Sequence, residues 1–562
     1  MENHAGPLMK LSVGRVSGSA LRALDVLVRA EPLRALLAKV VRQELGIDAL
    51  RALPRERRAV VPFGLEPRRA RPPREHVSQG LSLPERAGVP RTAQSLAAAY
   101  RAGVSDPSRV VTQALARAGS FGARSPLCAR DDERALADAR ASTERFRVGA
   151  PRGALDGVPY VVKEEMDVEG YATRLGTSFM PNDKATRDAV LVARLRAAGA
   201  IVIGQTPMTE YGLSPLGVNA HRTMPENAQR EGHLAGGSST GSAVAVALGL
   251  APLGLGTDGG GSIRVPAAFN GIFGIKPSYG RIPCTGHGML GGTSVVHFGI
   301  LGLGAADLAL ALEHAAGADA GDPPSAAAPP WAAGELGAAL GRGVRGLRIG
   351  VPEGEWKRAD GSVASAGRQA LSALEREGAE LVALELPLAR HAAAIGYLTI
   401  AIEARAALRE VEARVGGALG PDLRIFLAGV SAFASDDYVD AQRLREALRE
   451  EAAAALRVVD LIALPTAAST APAVSATEAR SGILDMRALD AACRFVFLGN
   501  LLGLPAASAP VGVDGAGLPI GLQLIGDAWD EASVLAAVAH LERLGVATVP
   551  RAPGAVDLLL DA

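Results

Sequence analysis

Gly236–Arg264 reads GGSSTGSAVAVALGLAPLGLGTDGGGSIR, two glycine clusters set against serines on either side of a small, apolar run from Ala243 to Leu250. Glycine, lacking a Cβ, accepts positive φ and lets the backbone approach another group closely. Gly259, Gly260 and Gly261 precede Ser262 and can turn several N–H groups toward one point, as in an anion nest or an oxyanion hole. Two tight turns bounding a buried helix and strand would use the same residues, so the rest of the chain has to discriminate. Gly254, Gly256 and Gly259 also satisfy G-x-G-x-x-G after an apolar run. That motif needs a helix opening on its last glycine and an acid about 20 residues later. Ile263-Arg264-Val265-Pro266 follows instead, and the surroundings of Tyr279 and Arg281 hold no Asp or Glu. A dinucleotide site is thereby excluded.

The 562 residues suffice for one large α/β domain or several ordinary ones. Lys and Arg number 59, as do Asp and Glu, so bulk charge gives no support for a nucleic-acid partner. Cys128, Cys284 and Cys493 are too few and scattered for a disulfide framework or a zinc site, which suits a reducing cytoplasm. No apolar core follows the early lysine, which argues against a secretory leader, and no stretch of about 20 apolar residues predicts a membrane span. Aromatic residues are only 4% of the chain, so its core must be built from Ala, Leu and Val.

Leucines and valines over 17–53 recur at helical spacing, interrupted at Pro32 and backed by arginines. They predict a helical hairpin packed on the main body or on a second subunit, the alternative being an amphipathic surface that touches membrane. The Arg/Pro-rich block 54–76 reads as a linker. Helical spacing resumes at Thr92, and 131–146 predicts a charged surface helix. Val158–Val162 predicts a core strand ending on Lys163, an unusual place for a residue that is almost never buried unpaired. Over 188–206 a helix, a stop at Gly199 and a strand at Ile201-Val202-Ile203 follow in turn. Residues 316–345 predict a surface excursion. Strand, helix and strand follow over 344–387, and a mostly helical region over 388–458 is a candidate lid. Strands and helices alternate again from 458 to 545. This cadence predicts an α/β fold, with helices on both faces of a mixed, mostly parallel sheet and a helical N-terminal extension. The expected domains are 1–88 and 89–562.

If the sheet gathers Lys163, Ser238 and Ser262, a chemistry follows. A serine hydroxyl is a poor nucleophile until a base takes its proton. Lysine is a base only when neutral, which requires a pKa lowered from about 10.4 toward 7–8 by burial or nearby positive charge. A second serine could relay the proton. The glycines before Ser262 would stabilise a tetrahedral oxyanion, each donor contributing about 3 kcal/mol in the transition state. Ser262 lies in no G-x-S-x-G elbow, and His233, His287 and His297 sit in loops without a supporting motif, so a Ser-His pair is disfavoured. Cys284 is disfavoured as a nucleophile. Glu164 and Glu165 point to opposite faces if the strand continues, one placed to pair with an arginine and neither expected to share acid–base work.

Together, GGSSTGSA (236–243), TDGGGSIR (257–264) and GVPYVVKEEMDVEG (157–170) resemble the amidase signature family. The separation 262 − 238 = 24 equals the family's serine spacing, and VDLIALPTAASTAPAV, GNLLGLPAASAPVG and GLPIGLQLIG look like its tail motifs. The resemblance covers about 90–546. It implies that Ser262 is the acylating nucleophile and that Ser238, after a cis bond from Gly237, relays the proton. Lys163 would be the base, and the N–H groups of Gly259, Gly260, Gly261 and Ser262 the oxyanion hole. Asp258 and Arg264 would hold that loop. Glu164 and Glu165 stand where Asp usually begins the segment after the lysine. Arg174 puts a large cation near the expected pocket, Gln205 replaces a usual Lys, and TSVVHFGIL (293–301) loses an Asp and a Pro.

The resemblance implies an amidase that hydrolyses a small-molecule carboxamide, other than a peptide bond, through an acyl-enzyme. No cofactor, metal or nucleic acid is expected. A homodimer is possible, and a cytoplasmic location is expected. The alternatives are the A subunit of a glutamyl-tRNA amidotransferase and a non-catalytic binding protein on this fold; ester hydrolysis or lipid-amide hydrolysis at a membrane could use the same site.

Overall fold

The helix Thr240–Ala247 is buried along its whole length, and small residues make that placement possible. A Cβ on Gly241 would lie 2.4 Å from Pro207. This helix packs on the strand Leu253–Asp258, a member of a ten-stranded sheet. The computed structural model describes residues 14–51, 53, 67, 69–70, 91–288, 294–431 and 433–560. In spatial order the strands are Ile201–Thr206, Pro159–Lys163, Leu253–Asp258, His297–Gly302, Phe273–Lys276, Ala506–Val513, Pro519–Gly526, Leu461–Pro465, Arg348–Pro352 and Glu380–Leu384.

The sheet is mixed, as expected, but parallel pairing is confined to its two flanks. The first three strands pair in parallel, as do the last three. The five pairings between them are antiparallel, which corrects the expectation of a mostly parallel sheet. Local connectivity accounts for one of the five, and the choice of neighbours for the rest. A crossover helix returns the chain parallel to itself, whereas a short turn such as that between Val513 and Pro519 returns it antiparallel. Side chains alternate between two cores. Leu461 and Ala463 join one apolar cluster, with the helices Gly361–Arg376 and Glu531–Arg543. Ile462 and Leu464 join the other, with Ala392–Val415 and Ser435–Val458. Helices therefore cover both faces.

The N-terminal helices Gly18–Leu27 and Glu31–Glu44 pack on the helix Pro421–Val430, with Leu21, Val28, Leu37 and Ile425 buried together. Pro32 sits in the first turn of the second helix, where its missing N–H costs nothing. Asp25 pairs with Arg424 at 2.7 Å. The boundary expected at 88–89 lies outside the described residues, as does block 54–76 apart from residues 67, 69 and 70. There Arg69 donates to the Ala528 carbonyl at 3.1 Å. The expected surface excursion is tied down: Leu336 and Ala339 are buried, and Trp331 stacks on the Arg281 guanidinium.

Candidate active site

Three segments deliver the predicted residues to one place. Lys163 ends the strand Pro159–Lys163, whose two neighbours are parallel to it. Ligands in α/β sheets gather at such carboxyl ends. Ser238 lies in the turn before the helix Thr240–Ala247, and Ser262 in the loop between the strand Leu253–Asp258 and the helix Arg264–Asn270. The Gly237–Ser238 peptide bond is cis. Ser238 and Ser262 line one cleft, and the Ser239 N–H donates to the Ser262 carbonyl at 3.2 Å, clamping the two loops. The Lys163 Nζ lies 2.7 Å from the Ser238 Oγ and 2.9 Å from the Thr257 Oγ1. Lys163 is fully buried.

Sequence reasoning missed the group on the other side of that amine. Glu165 Oε1 lies 2.6 Å from Lys163 Nζ and also accepts from the Thr257 hydroxyl. Its Oε2 faces His287 Nε2 at 3.5 Å. Burial draws Lys163 below its usual pKa, opposed by the carboxylates of Glu165, Asp258 and Glu164. Burial would raise Glu165, but the Lys163 ammonium and His287 overcome it and hold the carboxyl at about 2. The expectation that the two glutamates diverge is met. Glu164 turns away, accepting from Arg222 at 3.1 Å and from the Met208 N–H at 3.2 Å. Burial raises its pKa against the pull of Arg222. Arg174 lies in the separate cavity beside Glu164, Cys128 and Arg222, away from the serines. Gln205 donates to the Met166 carbonyl at 3.4 Å. Thr257 was visible only as a neighbour of the glycines; no sequence signal assigned it a contact with the lysine.

The loop bearing Ser262 is braced from below. Arg264 and Asp258 form a fully buried pair, with contacts of 2.8 and 2.9 Å. Arg264 also donates to the Val496 carbonyl, to Asn500 and to Gln523. Asn500 donates to the Asp258 carbonyl and carboxylate at 2.8 and 2.9 Å. Burial alone would raise Asp258; Arg264 and, less strongly, Lys276 and Asn500 hold it well below the usual carboxylate range. The role expected of Asp258 and Arg264 is thus visible as geometry. One expectation needs correcting. The Gly261 N–H donates to Asp258 Oδ1 at 2.7 Å, so it is spent on the brace; an N–H pointed at a buried carboxylate does not also serve an oxyanion at full strength. Gly259, Gly260 and Ser262 remain as candidate donors.

Part of the cleft wall is apolar, beside Glu165 and His287. Tyr211, Leu213 and Val296 contribute, with Ile400 from the long helix Ala392–Val415. The helical region over 388–458 therefore reaches the site. It is anchored by Glu403, which accepts from the Ser294 N–H at 2.6 Å, the Ser294 hydroxyl at 2.8 Å and the Tyr438 hydroxyl at 2.9 Å. Arg445 adds bonds to the Ser294 carbonyl and the Leu501 carbonyl.

The family model described as Amidase matches residues 109–535. The chain belongs to the amidase signature family. A fatty acid amide hydrolase from Arabidopsis thaliana is 33% identical over 462 residues, 80% of this chain and 76% of the relative. The A subunit of the glutamyl-tRNA(Gln) amidotransferase from Anaeromyxobacter dehalogenans is 36% identical over 464 residues, 77% of this chain and 92% of the relative. A solved structure described as an amidase superposes with a TM-score of 0.70 at 33% identity, covering 80% of this chain and 99% of its own. The protein is a hydrolytic amidase, and the α/β architecture is the family's. Among the described residues no helix is long and apolar enough to cross a membrane.

Proposed function

We propose that this amidase cleaves a small-molecule carboxamide through an acyl-enzyme on Ser262. The observation that carries the assignment is the 2.7 Å contact between Lys163 Nζ and Ser238 Oγ in the cleft that Ser262 lines. Ser262 Oγ attacks the amide carbon as its proton passes to Ser238, and the Ser238 proton passes to neutral Lys163. N–H groups of Gly259, Gly260 and Ser262 receive the oxyanion. On collapse the C–N bond breaks and the proton returns through Ser238 to the leaving nitrogen. Water then repeats the sequence to release the carboxylate.

The apolar walls from Tyr211, Leu213, Val296 and Ile400 favour an uncharged acyl group, in keeping with a relative named fatty acid amide hydrolase. The match to an amidotransferase component keeps that reading as the alternative; a partner that co-purifies and lends the chain an ammonia-transfer activity would favour it. A catalytic domain from 89 onward, a cytoplasmic location, a possible homodimer and independence of nucleic acid belong to the same proposal. Intact mass after fluorophosphonate treatment tests its core. One adduct per chain is expected, absent in Ser262→Ala and formed at least about 100-fold more slowly in Lys163→Ala, the scale of a lost general base. Labelling that survives Ser262→Ala refutes the assignment.

A further inference from the structure

The mechanism needs Lys163 as a free amine, yet the chain places a carboxylate directly on it. Glu165 Oε1 is 2.6 Å from Lys163 Nζ. Both side chains are buried, at 0% and 4% exposure. Their surroundings admit few other charges. Asp258 and Glu164 act on Lys163 from further off, and Asp258 is already paired with Arg264. His287 faces the second oxygen of Glu165 at 3.5 Å, and Cys284 lies within its field. Thr257 bonds to both partners, donating to Glu165 and accepting from Lys163. The amine is thus fixed between Ser238 on one side and Glu165 with Thr257 on the other.

We propose that Glu165 is a positioning residue that sets the working pH range of this amidase by stabilising the ammonium formed on Lys163 during acylation; this rests on the proposed roles of Lys163 and Ser262. The step balances without a further reactant. Ser262 Oγ bonds to the acyl carbon, one proton moves from Ser262 to Ser238 and one from Ser238 to the Lys163 amine. The new ammonium lies against an existing carboxylate. That partner strengthens Lys163 as a base in acylation and, by the same amount, weakens its ammonium as the later acid toward the leaving nitrogen. It also raises the pH at which Lys163 is free to accept a proton. An opposite charge in contact shifts such a group by about 1–3 pH units.

The test is the pH dependence of fluorophosphonate labelling at Ser262 and of kcat/KM for an anilide substrate, in wild type, Glu165→Gln and Glu165→Asp. In Glu165→Gln the acidic limb should move at least about one unit lower, and the plateau should fall about tenfold or more because a weaker base remains. Glu165→Asp keeps the charge but withdraws it by one methylene, so its limb should lie between the two. It also serves alone if the glutamine variant does not fold. A folded Glu165→Gln or Glu165→Asp whose limb coincides with that of wild type overturns the inference and leaves the amidase assignment standing. Failure of the wild type to label at Ser262 overturns both.

Discussion

Replacing Arg264 with methionine would strand Asp258 under the catalytic loop. The pair is wholly buried, and breaking such a pair by removing one partner costs about 3–5 kcal/mol. The change also removes donors from the Val496 carbonyl, Asn500 Oδ1 and Gln523 Oε1, and each buried acceptor left unpaired costs about 1–3 kcal/mol. Partial relaxation keeps these contributions from adding in full, so the expected loss is about 5 kcal/mol or more, a large share of the roughly 5–15 kcal/mol that holds a protein folded. At about 0.9 °C per kcal/mol for a chain of 562 residues, thermal denaturation followed by fluorescence should show a melting temperature roughly 4 °C lower. The effect has a sign with pH. Asp258 is depressed in the folded protein, so its contribution is present above the unfolded carboxylate pKa of about 3.9 and is lost only as pH falls through the still lower folded value. Without Arg264, burial dominates and raises Asp258, so the variant is penalised at neutral pH and recovers as Asp258 protonates. The gap between wild type and variant should therefore be wider at pH 8 than at pH 5. Asp258→Asn combined with Arg264→Met, which leaves no stranded charge, should melt above the single variant. A fall of less than about 2 °C in Arg264→Met, or a double variant no more stable than the single one, would refute the reasoning.

Gly260→Ala places a Cβ 2.5 Å from the Phe497 ring; overpacking of this kind costs about 1–3 kcal/mol, and the displaced loop should lose at least about tenfold in the rate of Ser262 labelling. Glu403→Ala removes the acceptor for three donors that tie the helix Ala392–Val415 to Ser294 and to Tyr438 of the neighbouring helix Ser435–Val458. Hydrogen bonds to a charged group are worth about 1.5–3 kcal/mol each, so melting should fall and KM should rise more than kcat changes in steady-state assays. Arg424→Ala removes the cross-element partner of Asp25, leaving it only Arg29 of its own segment, and should speed limited proteolysis within residues 14–51 while leaving kcat/KM within about twofold, since this interface lies outside the cleft. Protection equal to wild type would mean that the apolar contacts of Leu21, Val28 and Leu37 suffice.

Much of this protein is legible in order along the chain. Pro32, Gly199 and the spacing of Leu96, Tyr100, Val110 and Val111 mark helices and their ends because those signals act within a turn or two of backbone. Lys163 at the end of a core strand, and the serines among glycines, are legible because each is costly there without a purpose. The direction of strand pairing was less so. Whether neighbours run parallel depends on which strands become neighbours, and His297–Gly302 inserts between the two strands that precede it, Leu253–Asp258 and Phe273–Lys276, antiparallel to both.

Local sequence determined the elements, the two glycine-flanked serines and the lysine set to meet them. Tertiary structure alone decided that Glu165, not Glu164, lies on the lysine, that Gly261 spends its N–H on Asp258 and that Ile400 walls the cleft. The physical reason is range. Helix and turn preferences come from interactions within a few residues, whereas a pKa or a free donor is set by whatever long-range folding brings within about 4 Å.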